Sequence, residues 1–189
     1  MLRPSLILAA ALLTLSAAHA QAPASAPTPA APTPAGATPA GATPVVPAAV
    51  PEAMPWNVPY GTPIRIDQAK SVAAAIAEAR KHGWKLALTI VEPTGDLVYF
   101  EKMDDTQYAS ITISQAKARA AATLRRPTQV LEEAINGGSP ATITLPGIAG
   151  SRGGFPLIEN GKLIGAIGMS GALGAQDAVA AKAGADSLR

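Results

Sequence analysis

Gly150–Gly171, GSRGGFPLIENGKLIGAIGMSG, is the stretch whose reading decides the fold. Asn160-Gly161 is a two-residue turn in which both positions need positive φ, and apolar runs flank it on either side. The pattern predicts a β-hairpin, with Phe155–Glu159 running out and Lys162–Met169 returning. Pro156 has no N–H for a ladder, which predicts an edge position for the first strand. The return strand carries Gly165 and Gly168, with Gly171 just beyond and Gly153-Gly154 just before the hairpin. Glycine weakens a strand unless something must approach its backbone. So much bare main chain predicts a flat ligand or a neighbouring subunit lying directly on it.

Outward from the hairpin, Thr142–Ala149 (TITLPGIA) reads as a short strand interrupted by Pro146-Gly147, and Gln176–Leu188 as a closing helix of small residues. Further back, Pro127 suits the first turn of a helix whose buried stripe is Val130, Leu131, Ala134 and Ile135, ended by Asn136-Gly137-Gly138. Ala109–Thr123 is helical, most clearly in its alanine-rich second half. Lys85–Glu92 alternates, placing Leu86, Leu88 and Ile90 on one face. Pro93-Thr94-Gly95 turns the chain, and Asp96–Met103 returns as the second strand of another hairpin. A first helix starts at Ile66-Asp67 with Asp67 as N-cap, carries the apolar stripe Ala69, Val72, Ala73, Ile76 and Ala77 opposite Lys70, Ser71, Glu78 and Lys81, and stops at His82-Gly83. The order α-β-β-α-α-β-β-β-α, made of hairpins without a βαβ crossover, predicts an α+β domain: an antiparallel sheet with helices packed on it.

The N-terminal region reads differently. Arg3, the apolar run Leu6–Ala18 and the Ala18-His19-Ala20 step together read as a secretory signal peptide at residues 1–20, cleaved after Ala20. The apolar run is shorter than the roughly 20 residues of a spanning helix, so no membrane insertion is expected after cleavage. Residues 21–55 are Ala, Pro, Thr and Gly with a TPAGATPAGATP repeat, a disordered linker able to reach on the order of 100 Å when extended. Residues 56–189 are left for one domain. The chain has no cysteine, so in an oxidising compartment, periplasmic or extracellular, it holds together by packing alone. A formal charge of +2 and 4% aromatic residues argue against a nucleic-acid partner.

Familiar catalytic signatures are missing from the sequence: no cysteine nucleophile, no HExxH, no GxSxG elbow and no phosphate loop. His82, the one histidine after signal removal, reads either as a metal ligand or as a cation set against a helix C-terminus. Gly150–Gly154 reads either as an anion site, offering backbone N–H groups and Arg152, or as an ordinary loop.

Three segments, VEPTGDLVYFEKMDD, QAKARAAATLRRPT and GGFPLIENGKLIGAIGMSG, stand in the order and spacing of the GlcG/HbpS family, the haem-degrading or DUF336 domain, which the chain resembles over nearly all of Ile64–Leu188. The family's D-x-G-G turn is here Glu92-Pro93-Thr94-Gly95, its M-D-G-A is Met103-Asp104-Asp105-Thr106, and its frequent threonine after Lys-Ala-Arg is Ala120. The resemblance implies a profilin-like three-layer fold with a five-stranded antiparallel sheet between helices. It also implies a homo-oligomer, and for exported relatives a haem-responsive partnership with a sensor or membrane protein. The cofactor it implies is haem or a related tetrapyrrole. His82 is then the candidate metal ligand, with Met103, Met169, Tyr99 and Tyr108 as alternatives. Arg152, Lys117 and Arg119 are candidates for the propionates, and Gly153 and Gly154 for main-chain contact. With few large apolar side chains, weak surface attachment is expected rather than a deep pocket. Two readings compete with haem binding: a self-assembling interaction module without a cofactor, and, third, an enzyme acting on a small anion at Arg152.

Overall fold

The computed structural model describes residues 51–188; the expected signal peptide and most of the expected linker lie outside the described residues. Helix α1 (Ile66–Val72) and helix α2 (Ala75–Lys81) lead into strands β1 (Ala87–Val91) and β2 (Leu97–Lys102). Helices α3 (Ala109–Thr123) and α4 (Thr128–Asn136) follow, then a short 3-10 helix (Pro140–Thr144). Strands β3 (Gly154–Glu159) and β4 (Lys162–Ser170) and helix α5 (Gly174–Asp186) complete the order.

The sheet has the strand order β2-β1-β4-β3, antiparallel throughout. Asn160 at φ 50 and Gly161 at φ 72 make the β3–β4 turn, and β3 with Pro156 lies at an edge, as its missing N–H requires. Register places Leu88 opposite Met169 and Ile90 opposite Ile167. These side chains form one core with Val72 and Ile76 of the first two helices and Ala180 and Ala181 of α5. The opposite sheet face packs Val91 and Ala166 against Ala118, Ala121 and Ala122 of α3. The chain is therefore a mixed α+β fold, an antiparallel sheet flanked by helices.

Four expectations need correction. The sheet has four strands rather than five, because the segment expected as a strand at Thr142–Ala149 forms the 3-10 turn Pro140–Thr144 and a loop. Pro140 opens that turn and Gly147 sits at φ 78, so neither end of the segment is extended. The first helix is two helices: around Ala73-Ala74 the bonds shorten to Ala74 N–H to Ser71 O and Ala77 N–H to Ala74 O, a 3-10 pattern. Its N-cap is Arg65 rather than Asp67, with Gln68 Oε1 accepting from the Arg65 N–H at 3.1 Å.

The fourth concerns the glycines. Gly154 and Gly168 face each other across β3 and β4, and helix α3 lies directly on them. A Cβ on Gly168 would collide with Ser114 O and Ala118 N, and one on Gly154 with Lys117 O. Gly171 is covered by the Lys85 carbonyl. The bare main chain is spent inside the molecule, where it lets a helix sit close on the sheet, and at these positions offers no face to a planar ligand or a second subunit.

Candidate functional site

The residues expected to bind a cofactor fall into three places. Lys117, Arg152, Gly153 and Gly154 gather where α3, α4 and α5 meet the start of β3. Lys117 is only 2% exposed, and its Nζ donates to Asp177 Oδ2 at 2.7 Å. Asp177 Oδ1 accepts in turn from the Ala172 N–H at 3.1 Å. Burial pushes the Asp177 carboxyl above its ordinary range, with the Lys117 ammonium opposing that shift. A Cβ on Gly153 would lie 2.8 Å from Asp177 Cβ and 3.2 Å from Lys117 Nζ, and Gly153 has φ 119, so glycine is required there on both counts. Arg152 is turned toward Glu132, which accepts from its backbone N–H at 2.6 Å and from Nε at 3.0 Å. Burial would raise the Glu132 carboxyl, but those Arg152 bonds outweigh it and hold the group below its ordinary range. Gly154 N–H donates to the buried Thr128 Oγ1 at 3.0 Å. Lys117 thus has no ammonium to offer at the surface, and Gly154 has no accessible main chain.

Arg119 stands apart. Its Nε donates to Gly95 O at 3.2 Å, and it lines a groove of about 260 Å³ with Gln115 of α3 and Ile148 of the loop.

The third place is the connection from α2 to β1 with the end of β2, which hold His82 and Met103; the cleft there is lined by Met103 and not by His82. His82 is the C-cap of α2 and 46% exposed, stacked on Trp84 with ring centroids 4.3 Å apart and planes at 17°. Its Nε2 lies 3.3 Å from Glu78 Oε1. The bond from Lys81, then that from His82, lowers the Glu78 carboxyl below its ordinary range. Arg80 and Lys85, which bracket His82 and Trp84 in the chain, line a cleft of about 290 Å³ whose other walls are Glu101, Lys102, Met103 and Asp104. Arg80 meets Glu101 at 3.6 Å, a solvent-accessible pair that exchanges partners at little cost. Among the described residues, no three histidine, cysteine or carboxylate groups cluster as a metal centre. A single exposed imidazole beside cations is the donor set that remains.

Of the alternative iron ligands, Met169 is fully buried in the main core, and Tyr99 donates to Glu101 Oε2 at 3.0 Å. Tyr108 is 85% exposed and heads α3. Sequence reasoning missed Asp177. The clue was available: Ser110, Ser114 and Lys117 recur at helical spacing on one face of α3, and a lysine on a buried stripe needs a carboxylate partner.

An antiparallel sheet layered between helices, with Gly154 and Gly168 buried under α3, defines the class of domain. Residues 64–186 match the model of the haem degrading protein HbpS-like family, and the chain belongs to that family. It is 42% identical over 99 residues to protein GlcG of Escherichia coli (strain K12), covering 52% of this chain and 74% of that protein. It is 32% identical over 132 residues to an uncharacterized 15.0 kDa protein from the dhaT-dhaS intergenic region of Citrobacter freundii, covering 65% of this chain and 90% of that one. Among solved structures, HbpS superposes with a TM-score of 0.63 at 26% identity, covering 72% of this chain and 98% of that one. Klebsiella pneumoniae protein ORFY gives a TM-score of 0.63 at 26% identity, covering 71% and 97%. The PduOC:haem complex shares the fold, with a TM-score of 0.62 at 21% identity, covering 68% and 96%.

Proposed function

We propose that this protein is an exported haem-binding accessory protein that holds haem, or a related tetrapyrrole, weakly at its surface, with His82 as the iron ligand. The observation that carries the reading is the half-exposed His82 imidazole, fixed by Trp84 and held at Nε2 only by a 3.3 Å contact to Glu78. Membership of a family described as haem degrading supports the choice of cofactor. The haem itself supplies a Lewis-acidic iron and two propionates. The chain supplies an imidazole for the first, and Arg80, Lys85 and Lys102 around the adjoining cleft for the second. Met103 lines the same cleft. Arg152 and Arg119 lie in separate places and do not join this set.

Export follows from the N-terminal leader, and the destination is the periplasm or the exterior. Tyr108, Ile143, Leu145 and Leu173 are exposed apolar side chains that suit contacts in a homo-oligomer or with a sensor or membrane protein. Titration of the purified protein with haemin tests the site. The expected result is a Soret band displaced from that of free haemin at one equivalent per chain, with at least tenfold weaker binding in His82→Ala. A wild-type spectrum indistinguishable from haemin in buffer overturns the haem reading. Undiminished binding in His82→Ala overturns the assignment of the ligand.

A further inference from the structure

Among the described residues, two buried hydroxyls remain without a partner, Thr106 Oγ1 and Ser110 Oγ, in residues 5% and 0% exposed. Buried hydroxyls are nearly always paired, so these two, four residues apart in the chain with one before α3 and one in its first turn, each call for an oxygen partner. Ser110 lies in the first turn of α3, a helix of 15 residues with no side-chain cap and no acidic residue in that turn. The positive end of the helix is therefore uncompensated. A cation stands at the same spot: Lys102 Nζ donates to Met103 O at 3.2 Å, and the Thr106 N–H donates to that same carbonyl at 3.3 Å. The turn that ends at Thr106 begins at Met103, a wall of the cleft in which Arg80, Lys85 and Lys102 outnumber Glu101 and Asp104. Asp104 and Asp105 at its tip are exposed, and Asp105 sits at φ 62, in the left-handed region that aspartate enters more readily than most residues.

We infer that the junction of β2 and α3 is a carboxylate-binding subsite. Thr106 and Ser110 each donate a hydroxyl hydrogen to a carboxylate oxygen, Lys102 donates from its ammonium, and the Asp104-Asp105 turn moves to admit the ligand. The ligand class is a small organic carboxylate, or the carboxylate arm of a larger molecule held in the cleft. Where that molecule is a porphyrin the inference rests on the reading above; for a free carboxylate it stands without it.

The test is a titration of the isotope-labelled full chain with sodium propionate at constant ionic strength, followed by amide resonances, with propionamide as the neutral control. Saturable shifts at Thr106, Ala109 and Ser110 are expected with propionate and not with propionamide. They should be lost in T106V/S110A and weakened several-fold in K102M. The double variant should also melt higher than wild type without propionate and lose the propionate-dependent rise in Tm. Shifts that do not saturate, that propionamide reproduces, or that persist in T106V/S110A overturn the subsite. So does a double variant destabilised equally with and without propionate, which would mark the hydroxyls as holding internal water only. Should T106V/S110A not fold, S110A and K102M read separately decide by the same criteria. Haemin binding that depends on His82 while propionate gives no saturable shift refutes the subsite and leaves the haem reading standing; the converse refutes only the haem reading.

Discussion

Lys117 shows how far one residue's environment departs from its type. An ammonium taken wholly out of water is tolerated because Asp177 lies 2.7 Å away, and the pair joins α3 to the first turn of α5. Removing one partner strands the other charge in a medium that cannot solvate it. Lys117→Ala is expected to cost roughly 3–5 kcal/mol, read as a fall in the urea midpoint. Replacing both, as Lys117→Met with Asp177→Leu, should recover at least half of that loss, since a well-packed apolar pair needs no compensation. Asp177 also sets a pH dependence. Its carboxyl is raised in the folded state, so the protein binds that proton more readily than the unfolded chain does. Its contribution is thus fullest below the unfolded value and is lost as pH rises through the folded one. Glu132 has the opposite sign: its lowered carboxyl stabilises the fold above the unfolded value and loses that contribution as pH falls through the folded one. Glu132→Gln should therefore lower Tm at neutral pH, and the gap to wild type should close in acid. A gap that persists unchanged at pH 3 would show that the Arg152 contact does not act through charge.

Among the elements, α3 and β4 are the pair on which the architecture depends. Helix α3 lies on β4 because Gly168 presents no side chain beneath Ser114 and Ala118, and because Ala118, Ala121 and Ala122 are small enough to follow. Gly168→Ala places a methyl group against helix backbone that has no room to yield. Overpacking of this kind costs about 3 kcal/mol or more, measurable as a lower urea midpoint. The same substitution at Gly161, where nothing lies within 4 Å, carries only the strain of φ 72 and should cost about 1 kcal/mol. The contrast explains what was legible in the sequence. Asn160-Gly161, the alternation of β1 and the stripes of α4 are local signals, and each element formed where its pattern lies. The Gly165–Gly171 run signalled close approach correctly, but spacing along one strand does not say what approaches: helix α3 at Gly168, the Val91 carbonyl at Gly165 and the Lys85 carbonyl at Gly171. Thr142–Ala149 misled because its β-branched residues carry strand propensity, whereas Pro140 and Gly147 fix the backbone otherwise. The candidate site was legible only as residue types: Met103 lines a cleft that His82 does not enter, while Lys117, chosen for its charge, is committed to a carboxylate 60 residues away.

For the molecule as a whole, the entry of the chain into the domain matters as much as the sheet. Residues 56–64 run along β4 as a strap. Leu163 N–H donates to Pro59 O at 2.8 Å, Gly61 N–H to Leu163 O at 2.7 Å, and Ile64 N–H to Ile164 O at 2.7 Å. Two arginines clamp it from outside, Arg126 over Trp56 at 5.2 Å and Arg125 over Tyr60 at 5.4 Å, while Arg125 Nη1 donates to Val58 O at 3.1 Å. The strap occupies β4 hydrogen-bonding groups that lie beyond the end of β1, since β1 pairs with β4 only as far as Val91 and Ala166. A chain cut inside it would leave those groups bare, whereas a chain cut before Trp56 would leave the domain intact. If the leader is removed after Ala20 as proposed, the cut falls well upstream of the strap, and export and folding would not compete for the same residues. The protein recovered from outside the cytoplasm is therefore expected to begin at Gln21 by intact mass and to melt at the same temperature as full-length protein. Deletion through Pro63 is expected to lower Tm by several degrees or more. A mature N-terminus that falls within residues 56–64 would refute this division of the chain into leader, linker and strapped domain.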